Sequence, residues 1–518
     1  MRAWVAALLV AAGAAGCLSS EGTGEGPVFD PLWSERALPS GPSHDHTDPA
    51  AHFNATTANF EVLGFNPLTS PFYGTAPGGL HCGDARPVDG GRRLAAVESR
   101  GKVGFSLADV TDPMDPEYLG EIVMEGTIIK DLTITPDGRY VVAVTLAAAP
   151  SDYPGVPGLA GSAAPSPSPP ALRAEWRPCS GESVPVPGPS DPLSRPRSIL
   201  LFDVTDPANP AIVDQQPLFT GEGHSIAAFD VDGETVLLAS VYTSPVAYAF
   251  YSVLETPAGA RLQLLSTHSP RTVTPEGVVE TEGAGSYTHD GWIAKHPVTG
   301  EWLAYLAALD VLEIVNVDDV RQPTLVGSWT DVVPGREGYS GILHSVEPLA
   351  ETWDGRHYTV LGPEPGTHPK DHPTGIVWVL DTTNPGAPFE VAAWTLPHEV
   401  DWESYGFLFA THYFTVVGKT LLISMYHAGI WAVDLSPVGS QDFALLPSIG
   451  VFLPADPSLQ RSAFEDSAPQ APSLEEVLAM PDGTFVTFDN SYGLYCVRFH
   501  PEWPAPAPEP WPISSVRE

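Results

Sequence analysis

The feature that most constrains the fold of this chain is a short segment that recurs four times in one register. The segment reads Asp-Val-Thr-Asp-Pro from Asp109 and from Asp203, and it returns in variant form from Asn316 and from Asp381. Each copy stands between two apolar runs, which is the pattern of a strand, a tight turn and a second strand. Repeated β units are typical of propellers and solenoids, because each unit buries its apolar faces only against its neighbours.

Seven β units can be laid out along the chain, and the first six have the four strands of a propeller blade. The last unit lacks an outer strand, whereas Phe60–Phe65 has the outer-strand pattern but precedes the first unit. Pairing the two would close the ring and remove two open sheet edges. The sequence therefore predicts an all-β, seven-bladed β-propeller, closed by an N-terminal strand at about residues 60–65 that completes the last blade.

The N-terminal residues have the pattern of an export signal. Arg2 precedes an apolar run at residues 5–12, which is too short to span a bilayer, and small residues then lead to Cys17. This end resembles a prokaryotic lipobox, although Ala14 stands where leucine is usual. We therefore expect residues 1–17 to be a signal peptide and Cys17 to carry lipid, so that the protein is exported to the cell surface or the extracellular space and anchored to the membrane by lipid. The alternative is plain secretion without lipid.

Composition divides the rest of the chain. Residues 18–57 are rich in Gly, Pro, Ser and acids and predict a disordered tether. Residues 58–500 hold the seven-bladed propeller, which a flexible Pro- and Ala-rich insert at 150–197 interrupts in blade two. Residues 501–518 form a Pro-rich tail.

Charge and cysteine content limit the partners. The formal net charge of −39 opposes binding to phosphate backbones, so we expect no nucleic-acid partner and membrane contact only through the lipid anchor. Four cysteines leave an odd number, Cys82, Cys179 and Cys496, once Cys17 is lipidated. A Cys82–Cys179 bridge is one pairing, and an odd thiol is left over in any case. We expect a monomer whose partner is a protein or a small molecule.

The runs at residues 199–207 and 312–319 resemble the LVIVD repeat. The resemblance covers about residues 58–500. It implies an exported prokaryotic β-propeller, and it supplies no activity and no catalytic residues. Blades three, six and seven depart from the repeat's turn, so their boundaries stay open.

Histidines gather at one end of the predicted propeller. Five inner strands begin at a histidine, and further histidines and acids fall in connections at the same end. The inner-strand set, which could bind a transition metal, is His81, His224, His289, His344 and His412. The additional candidates for a ligand-binding face are His368, His372, His398, His427, Glu98, Asp310 and Asp489. The competing interpretation is structural, since a repeated buried imidazole can bond the carbonyl of a neighbouring blade.

Other ligand patterns are weaker. A His-Asp-His run at His44–His46 with His52 nearby could hold a metal in the tether, and the acids could hold calcium. His289-Asp290 and Asp401-Trp-Glu403 could perform acid–base chemistry if they met across the central channel.

Two functions follow from these observations. The first is a binding scaffold, a lipid-anchored propeller that captures a protein or small ligand on its histidine-bearing face. The second is a metal-dependent, oxidase-like enzyme. It rests on architectural analogy to methanethiol oxidases and selenium-binding proteins, whose motifs this chain does not carry. The sequence favours the non-enzymatic function, because it contains no phosphate loop, Cys-x-x-Cys pair or nucleophile elbow.

Overall fold

The structure is a computed structural model. It describes residues 57–68, 82–98, 104–124, 127–147, 174–179, 182–188, 198–218, 223–241, 247–257, 259–274, 277–279, 288–308, 311–330, 342–364, 376–396, 410–426, 428–440, 443–454, 473–490 and 493–502. Among these residues no helix is long and apolar enough to cross a membrane.

Seven antiparallel sheets form the ring, which confirms the predicted seven-bladed propeller. From the channel outward, each blade has an inner, a second, a third and an outer strand. Blade one has Gly83–Pro87, Arg93–Glu98, Gly104–Asp109 and Glu117–Met124; blade two has Thr127–Ile134, Tyr140–Ala147, Ser198–Asp203 and Ala211–Pro217; blade three has Gly223–Val231, Glu234–Val241, Ala247–Thr256 and Gly259–His268; blade four has Gly291–Lys295, Trp302–Ala308, Val311–Asn316 and Thr324–Trp329. Blade five has Ile342–Pro348, Tyr358–Glu364, Val377–Asp381 and Phe389–Trp394; blade six has Phe414–Val417, Thr420–Ser424, Ile430–Asp434 and Ser448–Phe452.

Blade seven closes the ring as the sequence predicts. Its first three strands are Leu474–Ala479, Thr484–Asp489 and Gly493–Phe499, and its outer strand is the N-terminal Phe60–Asn66. The pairing is antiparallel, with Phe60 opposite Phe499 and Phe65 opposite Tyr495. The first and last parts of the propeller are thereby joined in one sheet.

Short strands outside the four-strand pattern extend several blades. Thr57–Ala58 pairs with the outer strand of blade six, and Ala444–Leu445 runs parallel to that of blade five. Ala174–Pro178 comes from the segment expected to be a flexible insert, and it pairs with the outer strand of blade one. Val184–Pro185 pairs with Ala174–Pro178. Thr272–Thr274 and Gly277–Val279 form a separate hairpin, and Asp89–Gly91 is a 3₁₀ turn.

The core of the described propeller consists of seven hydrophobic clusters, one in each interface between neighbouring blades. Alternate residues of the strands point to the two faces of a blade, so each blade contributes to the clusters on both sides. Phe488 and Leu494 of blade seven, for example, pack against Ala95 and Val97 of blade one. The interface that closes the ring is thus packed like the others.

The repeated turns join third and outer strands, as predicted, and the aspartate side chain caps its own backbone. In blade two the Thr205 N–H donates to Asp203 Oδ1 at 2.9 Å, and the Ala208 N–H donates to Asp206 Oδ1 at 3.1 Å. The first of these bonds recurs at Asp109, Asn316 and Asp381, and also at Asp434 in blade six. Blade six therefore keeps half of the turn, although its sequence departs from the repeat.

Strand direction places the histidines at the opposite end from these turns. In an antiparallel blade the inner strand begins where the second strand finishes and the third begins. We call this the inner-strand end of the propeller. The described candidate side chains of the histidine-bearing face lie there, around the opening of the central channel.

Candidate functional site

Two consecutive residues occupy equivalent positions where each inner strand begins. The first position holds Lys130, His224, His289, His344, His412 and Glu475 in blades two to seven. The second holds Asp131, Ser225, Asp290, Ser345, Tyr413 and Glu476, and Cys82 in blade one. Backbone bonds mark the equivalence, because the carbonyls of Cys82, Asp290 and Tyr413 each accept from the last residues of the second strand in their own blade.

β-bulges turn several first-position side chains away from the regular strand pattern. The register shifts at Lys130, at His224–Ser225, at His344 and at Glu475. A bulge adds a residue that has no opposite partner and bends the strand, which re-aims a side chain. Two of the histidines, His224 and His344, lie at such a bulge, whereas His289 and His412 come just before their strands. The side chains of His289, His344 and His412 are buried.

Four of these imidazoles form one continuous row, which we call the histidine belt: His224, His289, His344 and His412. The ring centroids are separated by 4.3 Å, 3.6 Å and 4.4 Å along the row. The Nε2 atoms of His224 and His289 lie 2.7 Å apart, so one imidazole donates to the other. The structure thus brings together four of the five histidines predicted for the metal set.

The hydrogen bonds of His344 fix its tautomer. Its Nδ1 lies 2.6 Å from Ser345 Oγ, and that hydroxyl donates its single proton to the carbonyl of His412 at 2.5 Å. Ser345 can therefore only accept from His344, which places a proton on Nδ1, so that in the neutral imidazole the lone pair is on Nε2. Nε2 faces Glu364 Oε2 at 3.8 Å. The other oxygen of Glu364 accepts from the hydroxyl of Tyr426.

Hydrogen bonds between blades use the second position, the backbone and the imidazole of His412, whose Nδ1 donates to the carbonyl of Glu475 at 2.9 Å as the structural interpretation expects. Ser225 Oγ donates to the carbonyl of His289 at 2.6 Å, the Asp290 N–H to that of His344 at 3.1 Å, and the Tyr413 N–H to that of Glu475 at 3.3 Å. Each carbonyl belongs to the first-position residue of the next blade. The first-position residues thus take part in these ties between blades through their carbonyl groups.

Buried carboxyl groups lie beside the belt. Burial, partly offset by hydrogen bonds such as that from Tyr413, raises the pKa of Asp290 to about 7. Burial, and then the charge of Asp290, also raises the pKa of Asp131. The pKa of Glu476 is raised by burial and by Asp131 and Asp290. Acids that oppose each other's ionisation in this way create a site that favours a cation.

Two groups of side chains have the composition and spacing of metal ligands. His289, His344 and Glu364 each offer a ligand atom within 4.8 Å of the other two, and so do Cys82, His412 and Glu475. Within the described parts of the chain no disulfide joins Cys82, Cys179 or Cys496, so the Cys82–Cys179 bridge is not formed.

The other predicted site residues divide into two sets. Glu98 and Asp489 are described and buried, at the ends of the second strands of blades one and seven. His81, His368, His372, His398, His427, Asp310, Asp401, Glu403, the tether histidines His44, His46 and His52, and Cys17 lie outside the described residues.

Sequence reasoning missed Glu364, Tyr426 and Glu475 as parts of the site. Glu475 could have been found by aligning blade seven on the histidine that begins the other inner strands. Glu364 ends the second strand of blade five as Glu98 ends that of blade one, and this shared position was the available signal.

Fold and site together define a seven-bladed β-propeller with a belt of histidines and carboxylates at the opening of its channel. No protein-family model matches the chain. No curated protein matches it. The solved structures similar to it include Sqt1 of Saccharomyces cerevisiae, with 9% identity, a TM-score of 0.44, and coverage of 82% of this chain and 97% of Sqt1. They also include a candidate 6-phosphogluconolactonase from Bacteroides fragilis (14% identity, TM-score 0.43, coverage 78% and 93%) and the Swd1 β-propeller domain of Myceliophteria thermophila (10% identity, TM-score 0.43, coverage 81% and 96%).

Proposed function

We propose that this chain is an exported, lipid-anchored propeller that binds a divalent transition metal through His289, His344 and Glu364. The observation that carries the proposal is the relation of His344 to Glu364. The Nε2 atom of His344 lies 3.8 Å from a carboxylate oxygen of Glu364. His289 offers a third ligand atom within 4.8 Å of these two, and two imidazoles with one carboxylate form a ligand set for a divalent transition metal.

The ligand geometry suits a transition metal. Ligand atoms on a tetrahedral zinc ion lie about 3.4 Å apart, which follows from metal–ligand bonds of about 2.0–2.2 Å, so a small closure of the site would be enough. Imidazole nitrogens with one carboxylate oxygen favour Zn²⁺, Cu²⁺ or Ni²⁺, whereas Ca²⁺ takes oxygen ligands. Of the two cofactors expected from sequence, a transition metal is therefore the better match.

The supporting contacts also match a metal site. Ligating histidines usually donate their second ring N–H to a fixed acceptor, and ligating carboxylates are themselves hydrogen-bonded. Ser345 supplies the acceptor for His344, and Tyr426 supplies the donor for Glu364. We infer that the belt is pre-oriented, so that metal binding costs little ordering of side chains.

In both candidate functions the bound metal would be the group that contacts the ligand or substrate. In the scaffold function it is the point at which a small molecule or a protein side chain coordinates. The ligand set also favours a second candidate, a metal-dependent enzyme, because catalytic zinc sites use three protein ligands and keep a position for water or substrate. Turnover in an oxidase and hydrolase screen that is lost in His344→Ala would select the enzyme.

The metal content of the purified protein tests the proposal. After reconstitution with Zn²⁺ alone we expect a stoichiometric ion, and we expect His344→Ala and Glu364→Gln to weaken zinc binding at least about tenfold. The matched control is His500→Ala, because His500 also pairs with a carboxylate, Glu61, at 2.9 Å but lies away from the belt. A wild-type protein that stays substoichiometric in zinc, or a loss of zinc equal in all three variants, would refute the proposal.

A further inference from the structure

A second ligand set lies next to the first, in the three blades where the ring closes. Cys82 comes just before the inner strand of blade one, His412 before that of blade six, and Glu475 lies within that of blade seven. All three are buried, with exposed fractions of 4%, 4% and 2%. Their ligand atoms lie within 4.8 Å of one another. Three blades thus deliver a sulfur, a nitrogen and an oxygen to one point.

The tautomer of His412 is fixed in the same sense as that of His344. Its Nδ1 lies 2.9 Å from the carbonyl oxygen of Glu475, and a carbonyl can only accept. A proton is therefore on Nδ1, and in the neutral imidazole the lone pair is on Nε2. Nε2 faces the carboxylate Oε2 of Glu475 at 3.9 Å. The relation between an imidazole and a carboxylate found at His344 and Glu364 is thus repeated one blade further along the ring.

We propose that Cys82, His412 and Glu475 form a second metal site, which binds a thiophilic divalent transition metal such as Zn²⁺ or Co²⁺. The thiol loses its proton when the metal binds, so a thiolate and a carboxylate together balance the two charges of a divalent ion. This ligand set shares no residue with the first site and does not depend on it.

The surroundings of Cys82 make the thiolate depend on the metal. Burial raises the pKa of Cys82, and the charges of Asp131, Glu98, Glu476 and Glu475 raise it further. The sulfur is therefore a ligand only as the thiolate that a bound cation stabilises. The ring centroids of His344 and His412 are 4.4 Å apart, so the two ligand sets are neighbours in the belt.

Titration with Co²⁺ alone tests the second site, because a cobalt–thiolate bond gives a charge-transfer absorption that nitrogen and oxygen ligands do not give. We expect this band in the wild type and its loss in Cys82→Ser. The matched controls are Cys496→Ser, which removes another buried thiol, and Cys179→Ser, which removes the exposed one. Both should keep the band. Absence of the band in the wild type, or its survival in Cys82→Ser, would overturn the proposal.

Two further variants separate this inference from the first site and from misfolding. Glu475→Gln keeps the size of the side chain. We expect it to weaken the affinity for Co²⁺, measured by titration of the cobalt–thiolate band, at least about tenfold. An unchanged affinity would count against Glu475 as a ligand and against the site. His344→Ala should lose one equivalent of metal and keep the band. If it loses the band as well, the two sets are one centre and the separate second site is wrong.

Discussion

The Nδ1 atom of His344 lies 2.6 Å from Ser345 Oγ, and the two residues are consecutive in the chain. Ser345 also reaches the next blade, where it donates to the carbonyl of His412. One hydroxyl thus fixes the tautomer of a proposed metal ligand and ties two blades together. The same two contacts connect the position of the first ligand set to that of the second.

Replacing Ser345 with alanine should therefore weaken metal binding although Ser345 is not a ligand. The variant removes the acceptor that holds the His344 proton on Nδ1, and loss of such a partner typically costs about 10–100-fold in metal affinity. Zinc titration of the folded variant measures the change. Ser225→Ala is the matched control, because Ser225 holds the same position in blade three but contacts Ser240 Oγ and the His289 carbonyl. Equal zinc affinities in the two variants would contradict the role given to Ser345.

The opposite end of the propeller should affect stability without affecting metal binding. Asp203 Oδ1 accepts from the Thr205 N–H at 2.9 Å in the repeated turn of blade two. Asp203→Ala removes this acceptor, which should lower the free energy of unfolding by about 1 kcal/mol. Denaturant titration measures that loss, and zinc affinity should stay at the wild-type value. A weaker zinc affinity in this variant would show that the two ends are coupled.

The fold could be predicted because its signals are local and repeated. The Asp and Pro residues of the turns from Asp109 and Asp203 favour a specific turn conformation. The alternation of apolar residues on either side predicts which face of each strand is buried. Ring closure could be predicted because blade seven lacks an outer strand in the sequence, whereas the run that begins at Phe60 has the outer-strand pattern and precedes blade one. The pairing of Ala174–Pro178 with blade one was not predicted, because a short strand within a Pro- and Ala-rich segment has no periodicity of its own.

The site could be predicted only in part, because its partners come from different blades. The repeat placed His224, His289, His344 and His412 at one end. It could not show that these side chains meet in one row, since bulges at His224 and His344 and the contacts between blades set their direction. Nor could it show that Glu364 faces His344, because that contact depends on the register between the inner and second strands of blade five.

Ring closure should depend on the glycine in the N-terminal strand. A Cβ atom on Gly64 would lie 2.3 Å from the carbonyl oxygen of Pro113, in the repeated turn of blade one. Gly64→Ala should therefore separate blade seven from blade one and lower the melting temperature. Gly188→Ala is the control, because a Cβ there meets its nearest atom at 3.8 Å. Equal melting temperatures for the two variants in thermal denaturation would argue against this packing as a stabilising feature of the closed ring.

The lipid anchor is tested by fractionation of cells that express the whole chain. Cys17→Ser removes the thiol that lipidation requires, so the variant should move from the membrane fraction to the medium or to the soluble extracytoplasmic fraction. Cys179→Ser is the control, since it removes a thiol from the propeller and leaves the N-terminal signal unchanged. Equal partitioning of the wild type and Cys17→Ser would reject the anchor.

The dependence of stability on pH should reveal a buried acid between blades five and six. Glu347 is 8% exposed, and its Oε1 accepts from the Val416 N–H at 3.2 Å. Burial, partly offset by that bond, raises its pKa from 4.5 to about 8. The folded protein therefore keeps a proton that the unfolded chain releases, so this group's contribution to stability is present below pH 4.5 and falls as the pH rises to about 8. The steepest fall that one proton allows is about 1.4 kcal/mol per pH unit.

The variant Glu347→Gln tests this. It keeps an acceptor for the Val416 N–H and removes the titration. Its free energy of unfolding should exceed that of the wild type at pH 8 and approach it at low pH, as measured by denaturant titration across this range. Parallel pH profiles for the two proteins would show that Glu347 is ionised in the folded state.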